Sequence, residues 1–206
     1  GVPESGGGHR LNPALPAGGE KTAGKKENTM ELKGSRTEAN LAAAFAGESQ
    51  ARNKYTYYAV KAREDGYRQI AQLFTETACN ELAHAAIWFR LLHGGSVPET
   101  AVNLADAAAG ELYEWSEMYQ KFAQEAREEG FTDIARLFEG VGSIEKTHEA
   151  RFNAALKEVK DQTVFQKGSK VVWQCGNCGF LYEGEKAPEK CPICSHPRAY
   201  FSVQGS

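Results

Sequence analysis

Two segments of the chain place a glutamate three residues before a histidine, at Glu81/His84 and at Glu145/His148. Residues three apart lie on one face of a helix, so each ExxH motif would present a carboxylate oxygen and an imidazole nitrogen to the same point. Both groups are common ligands of iron and manganese in proteins. A single ExxH motif is weak support for a metal site, because glutamate is common on the solvated surface of helices.

The two motifs belong to an internal repeat. The segment REDGYRQIAQLF (63–74) matches REEGFTDIARLF (127–138) at seven of twelve positions, and the same offset of 64 residues carries Glu81 onto Glu145 and His84 onto His148. Upstream, AGES matches AGEL at an offset of 63 and pairs Glu48 with Glu111. Each half of the repeat therefore has one lone glutamate followed by one ExxH motif.

The elements that must position these residues are helices. From Ser35 to about Lys160 the chain is rich in Ala, Glu, Arg, Leu and Gln, with apolar residues at helical spacing. Ser35 and Glu38 form a capping-box pattern, and Gly66 and Gly130 each end one helix before another begins. The pattern predicts four long helices, at roughly 36–65, 67–93, 104–129 and 131–160.

A longer connection, HGGSVPETAVN (93–103), separates the second and third predicted helices. A short turn, a long connection and a short turn suit a four-helix bundle with a crossover. In such a bundle the two lone glutamates and the two ExxH motifs face inward and form a di-iron or di-manganese site. Unpaired buried carboxylates would be costly because each loses its hydration, and bound metal ions remove that cost.

The second half of the repeat adds a fifth carboxylate. Glu114 follows Glu111 by three residues, where the first half has Ala51. Five carboxylates give the same net charge with two Fe(II) ions as with two Fe(III) ions bridged by oxide. The site would then change oxidation state at constant net charge. A low-dielectric interior penalises a change in net charge, so constant charge would make the redox change easier. The alternative is an exposed Glu114 that pairs with a nearby lysine.

Two tyrosines follow the lone glutamates along the same helices. Tyr55 lies seven residues after Glu48, and Tyr119 lies five residues after Glu114. We expect their hydroxyl groups to donate hydrogen bonds to metal-binding carboxylates, which would orient those ligands. Packing of the two rings in the core is the alternative.

Four of the five cysteines fall in two CxxC pairs, Cys175/Cys178 and Cys191/Cys194. This spacing predicts a four-cysteine metal site in a reducing compartment rather than disulfides. Tetrahedral sulfur suits both zinc and iron, and the motif alone favours zinc. The adjacent di-iron pattern favours iron, because a one-electron centre has an obvious use beside a di-iron site. The fifth cysteine, Cys79, is predicted to be a small buried thiol.

Composition narrows the class of protein. The chain has 206 residues, 41% of them hydrophobic, and a formal net charge of -3, and it has no basic stripe of the kind that nucleic acid selects. No apolar run is long enough to span a membrane, and the start has no secretory signal, so we expect a soluble, cytoplasmic protein. Residues 1–29 contain seven glycines and three prolines and are predicted to be disordered.

Taken together, these motifs resemble the rubrerythrin family. AFAGESQARNKYTYYA, the first ExxH, AAAGELYEWSEMY, the second ExxH and CGNCGFLYEG with CPIC occur in the family's order from about Met30 to the C terminus. The resemblance implies an all-α ferritin-like four-helix bundle over residues 30–165 and a small rubredoxin-like domain over 170–206. It also implies two non-haem iron ions on Glu48, Glu81, His84, Glu111, Glu114, Glu145 and His148, and one iron on Cys175, Cys178, Cys191 and Cys194.

The resemblance further implies an activity and partners. Members of the family reduce hydrogen peroxide to water, with electrons from NAD(P)H that arrive through a separate reductase or a rubredoxin. They form homodimers or higher homo-oligomers in which the rubredoxin-like site of one subunit lies near the di-iron site of its partner. A ferritin-like ferroxidase that oxidises Fe(II) for storage is the alternative.

Overall fold

Helices make up the N-terminal part of the structure, a computed structural model that describes residues 31–205. The predicted disorder of residues 1–29 lies outside the described residues. Within them, no helix is both long enough and apolar enough to cross a membrane. The helices are α1 (Arg36–Glu64), α2 (Arg68–Leu92), α3 (Thr100–Tyr113), α4 (Tyr119–Glu128) and α5 (Thr132–Lys160), and a π-helical turn, Glu114–Met118, joins α3 to α4.

The helices form two hairpins, which we call hairpin 1 (α1 and α2) and hairpin 2 (α3 to α5). Gly66, with φ +83°, makes the turn in hairpin 1, and Gly130, with φ +88°, makes the turn in hairpin 2. Glycine adopts this left-handed conformation at no steric cost because it has no Cβ. At the start of α1 the backbone N–H of Glu38 donates to Ser35 Oγ at 3.1 Å, as the capping-box pattern predicts.

Each hairpin is held together by small residues. Ala59 and Ala71 are buried in hairpin 1, and their repeat equivalents Ala123 and Ala135 are buried in hairpin 2. Small side chains allow the helix backbones to approach closely, but they leave little room for large side chains between the helices. The large apolar residues therefore point elsewhere, and many of them are exposed.

The predicted long crossover between the two hairpins is wrong in length. Helix α3 begins at Thr100 rather than at 104, so the connection is only residues 93–99. The Asn103 side chain donates to the carbonyl of Pro98 at 2.8 Å, and this bond holds the start of α3 close behind the proline. Within residues 31–205 the helices of hairpin 1 pack on each other but make at most incidental contact with those of hairpin 2.

The C-terminal part is a small antiparallel sheet. Strands β1 (Gln166–Cys175), β2 (Leu181–Lys186) and β3 (Phe201–Val203) lie in the order β2-β1-β3. Trp173 is fully buried, and its indole N–H donates to the carbonyl of Gly184 at 2.9 Å. The core around it contains Cys175 and Cys191, so the cysteine site and the hydrophobic core of this unit are continuous.

Candidate metal centres

The first Glu/Glu/His triad lies on hairpin 1. Glu48 comes from α1, and Glu81 and His84 come from one face of α2. His84 Nδ1 lies 3.0 Å from Glu81 Oε2 and 3.7 Å from Glu48 Oε1. One ligand atom from each residue lies within 4.8 Å of the other two, which is close enough for one metal ion to bind all three.

The second triad repeats this arrangement on hairpin 2. Glu111 comes from α3, and Glu145 and His148 come from α5. His148 Nδ1 lies 2.6 Å from Glu145 Oε2 and 3.7 Å from Glu111 Oε2, so the two triads share the same geometry. Their ligand atoms also lie within 4.8 Å of one another.

The carboxyl groups within each triad shift one another's pKa values. Glu48 shares a hydrogen bond with Glu81, which raises the pKa of Glu48 and lowers the pKa of Glu81. Burial, together with the neighbouring Glu145, raises the pKa of Glu111. Carboxyl groups with raised pKa values are destabilised as anions, and a bound cation would relieve that cost.

The π-helical turn explains why the repeat offset changes from 63 to 64. The turn holds one extra residue between Glu111 and α4, so Tyr119 still occupies the position equivalent to Tyr55. Tyr119 packs against Phe122 and Phe138, just as Tyr55 packs against Tyr58 and Phe74. π-helical turns occur often at functional sites, and this one begins at the proposed ligand Glu114.

Glu114 is half-buried and belongs to neither triad. Within residues 31–205 it makes no ion pair with a lysine, so the structure does not show the predicted alternative. Burial raises the pKa of Tyr119, and the negative charges of Glu114 and Glu145 raise it further. Tyr119 therefore lies near the carboxylates of the second triad and retains its hydroxyl proton.

One contact near the second triad escaped prediction. Trp115 lies in the π-helical turn, and its indole N–H donates to Glu149 Oε2 on α5 at 2.8 Å. Lys146 Nζ lies 5.0 Å from the centre of the Trp115 ring. These contacts join the turn to α5 next to His148. The only signal in the sequence was the position of the tryptophan directly after Glu114.

The four cysteines of the C-terminal unit converge on one point. Cys175 Sγ lies 3.7 Å from Cys194 Sγ, and Cys178 Sγ lies 3.6 Å from Cys191 Sγ. A tetrahedron with metal–sulfur bonds of about 2.3 Å has an edge of about 3.8 Å, which agrees with these distances. The donor set and its geometry therefore fit one tetrahedral thiolate-bound metal ion.

Each pair of cysteines lies in a tight turn of the same design. The backbone N–H of Gly179 donates to the Cys175 carbonyl at 2.8 Å, and that of Ser195 donates to the Cys191 carbonyl at 3.0 Å. The backbone N–H of His196 favours the thiolate of Cys194 and lowers the pKa of Cys194 to about 5. The Phe180 amide favours the Cys178 thiolate, but burial and the three neighbouring sulfurs raise the pKa of Cys178 to about 12.

The structure thus brings the predicted ligands together as three separate groups. It assembles Glu48 with Glu81 and His84, Glu111 with Glu145 and His148, and the four cysteines, but within the described residues it does not join the two triads. Cys79 was predicted to be buried, and this is wrong: it is exposed, because its neighbour Ala78 takes the position that faces α1.

Family models match both parts of the chain. The rubrerythrin family model matches residues 39–156, and the model of the rubrerythrin rubredoxin-like domain matches residues 173–202. The fold is therefore the predicted one, a ferritin-like helical domain followed by a rubredoxin-like domain. The chain belongs to the rubrerythrin family. It has the di-iron domain of that family and a four-cysteine iron site of the rubredoxin type.

Curated relatives cover most of the chain. A rubrerythrin of Porphyromonas gingivalis is 46% identical over 188 residues, with 86% of this chain and 94% of that protein aligned. A rubrerythrin of Nitratidesulfovibrio vulgaris is 45% identical, with 84% of this chain and 97% of that protein aligned. Among solved structures, fully reduced, all-ferrous nigerythrin is 32% identical, covers 89% of this chain and 98% of its own, and has a TM-score of 0.32.

Proposed function

We propose that the chain is a non-haem di-iron peroxidase that reduces hydrogen peroxide to water. The observation that carries this proposal is the presence of two Glu/Glu/His triads and a four-cysteine site on one chain. When bound, the iron pair supplies two electrons and Lewis acidity to a peroxide. Conversion of one H₂O₂ to two H₂O breaks the O–O bond and consumes two electrons and two protons, so an electron donor would have to deliver two electrons for each turnover.

Each triad would hold one iron, and the remaining residues would orient the ligands. In this proposal Glu48, Glu81 and His84 bind one ion, and Glu111, Glu145 and His148 bind the other. Glu114 lies beside the second triad and provides the further carboxylate. Burial and the nearby carboxylates raise the pKa of Tyr119, and we propose that its protonated hydroxyl donates a hydrogen bond to one of them once metal is bound. Tyr55 is the equivalent donor for the first triad.

The four-cysteine site provides a route for electrons from a donor protein. Cys178 is exposed, so one edge of the site reaches the surface. Next to Cys194, the apolar side chain of Ile193 is 69% exposed and offers a contact surface for a donor. We propose that the donor is an NAD(P)H-dependent reductase or a rubredoxin. Four thiolates held by a metal also agree with a cytoplasmic location, because free thiols persist in reducing compartments.

Reoxidation kinetics test the peroxidase proposal against the ferroxidase alternative. The protein is reduced completely under anaerobic conditions and then mixed with hydrogen peroxide or with oxygen. The visible absorbance of the oxidised four-cysteine iron reports electron flow into the di-iron site. We expect faster reoxidation by peroxide. Faster reoxidation by oxygen would instead favour a ferroxidase or an oxidase.

The two kinds of cysteine give a matched pair of variants for the electron route. In Cys194→Ser the four-cysteine site loses a ligand, so donor-linked peroxide reduction is expected to fall to background. A chemically pre-reduced di-iron site should still consume one peroxide. Cys79→Ser removes an exposed thiol outside that site and should leave the donor-linked rate unchanged. Equal donor-linked rates in the two variants would contradict the proposed route.

A further inference from the structure

The two halves of the di-metal ligand set lie on hairpins that do not pack together. Glu48 with Glu81 and His84 occupies hairpin 1, and the second triad occupies hairpin 2. Within the described residues each hairpin makes its extensive contacts only with itself. A metal pair held by both triads would need them at one place, so each hairpin is half of a site.

Each hairpin also leaves large apolar residues exposed on the helix face that carries its triad. On α2, Ile70 and Leu73 lie on the same face as Glu81, and Leu73 is 61% exposed. On α5, the repeat equivalents Ile134 and Leu137 lie on the same face as Glu145, and Leu137 is 68% exposed. Large apolar side chains exposed together on one face are typical of an interaction surface. The two faces carry the same residue types at the same distance along the helix from the triad glutamate, because the repeat generates both.

The connection between the hairpins is too short for one chain to cover both faces itself. In a ferritin-like bundle one long crossover joins the second and third helices, so these helices run in the same direction. Leu92 lies eleven residues beyond Glu81, and Glu111 lies eleven residues beyond Thr100. Each stretch is about 16 Å of helix. If Glu81 and Glu111 lie at the same height on parallel helices, Leu92 lies about 16 Å above that height and Thr100 about 16 Å below it. The connection must then span roughly 33 Å along the bundle.

Residues 93–99 do not reach that far. The eight Cα steps from Leu92 to Thr100 span at most about 26–29 Å when fully extended. The connection is not fully extended, because Gly94 and Gly95 have φ of +73° and +101° and the Gly95 N–H donates back to the Arg90 carbonyl at 2.7 Å. The same seven residues do suffice when the two hairpins of one chain enter different bundles.

We propose that the di-metal centre is assembled between two copies of this chain. Hairpin 1 of each copy packs against hairpin 2 of the other, so a two-fold dimer has two bundles and two complete ligand sets. Each centre takes Glu48, Glu81 and His84 from one copy, and Glu111, Glu114, Glu145 and His148 from the other. Such an exchange uses the contacts of the single-chain bundle and covers both apolar faces. The metal part of this inference rests on the proposed function.

Complementation between two defective chains tests the shared centre. One chain carries Glu81→Ala and His84→Ala, the other carries Glu145→Ala and His148→Ala, and different tags allow purification of the mixed dimer. In an exchanged dimer one centre collects all four substitutions and the other collects none. We expect two irons per mixed dimer at the bundle sites, and no complete pair in either variant alone. A mixed dimer that is as empty as the parent variants would overturn the proposal.

A second measurement needs no metal in the bundle, so it separates failure of this inference from failure of the proposed function. Spin labels are attached at Lys54→Cys in hairpin 1 and Lys121→Cys in hairpin 2, in a Cys79→Ser chain with zinc in the four-cysteine site. A four-helix bundle is about 20–25 Å across. We expect a distance of that order only when the two labels are on different chains of a dimer. The same short distance within a doubly labelled chain, diluted in unlabelled protein, would contradict the exchange.

Discussion

At the scale of residues, each triad contains a carboxylate that is unfavourable as a free anion. Burial and the neighbouring Glu145 raise the pKa of Glu111, and the shared hydrogen bond with Glu81 raises the pKa of Glu48. A carboxyl group whose pKa is raised in the folded state costs stability when it is ionised at neutral pH. The apoprotein bears this cost because no cation is bound to offset it.

Glu111→Gln tests this cost. Removing the charge should raise the Tm of the apoprotein at pH 7, on the order of 1–3 °C. The advantage should vanish as the pH falls below the ordinary glutamate range, because Glu111 is then protonated in both the folded and the unfolded state. In the holoprotein the same substitution should abolish the stabilisation that added iron gives.

Glu117→Gln is the control for that measurement. Glu117 is an exposed glutamate in the neighbouring π-helical turn, and its substitution should change the Tm little at either pH. Thermal unfolding followed by circular dichroism measures both variants. An apoprotein that loses stability at pH 7 on substitution of Glu111 would contradict the proposed cost of ionising this carboxyl group.

At the scale of elements, the π-helical turn sets the register of hairpin 2. Downstream of it, α4 packs on α5 through Ala123, Ala126, Ala135 and Gly142. Upstream of it, Glu111 must reach Glu145 and His148. The extra residue allows both requirements to be met, because one inserted residue rotates the helix by about 100°.

Deletion of Ser116 tests this role. With the turn removed and α4 held by its packing on α5, α3 should rotate by about 100° and carry Glu111 away from Glu145. We expect unchanged helix content by circular dichroism and loss of the iron bound by hairpin 2. Ser116→Ala keeps the length of the turn and should retain the metal. Normal iron content in the deletion variant would show that the turn does not set the position of Glu111.

The sequence predicted the elements better than it predicted their connection. The period of apolar residues, the capping pattern at Ser35 and the glycines at 66 and 130 are local signals, and the helices follow them closely. The start of α3 was missed, because Val102 and Leu104 are compatible with either a loop or a helix until Asn103 binds the Pro98 carbonyl. The π-helical turn left a trace, the change of offset from 63 to 64, but the offset alone does not indicate its location.

At the scale of the whole molecule, the ligand set was predictable and its assembly was not. The repeat identified both triads, because its equivalent helices carry the ligand residues at equivalent positions. Whether the two hairpins of one chain can pack together depends on whether residues 93–99 can span a bundle. That depends on the end-to-end distance of the folded connection, which the sequence pattern does not give. The exposure of Cys79 was missed for a similar reason, since burial of a helix face depends on which element covers it.

We propose that the two triads hold one iron pair rather than two isolated ions. Mössbauer and electron paramagnetic resonance spectra of the oxidised protein distinguish the two arrangements. Zinc in the four-cysteine site ensures that only bundle iron is observed. We predict an antiferromagnetically coupled diferric pair with no resonance from isolated high-spin Fe(III). A bundle that contains only uncoupled high-spin Fe(III), one ion for each triad, would contradict a shared iron pair.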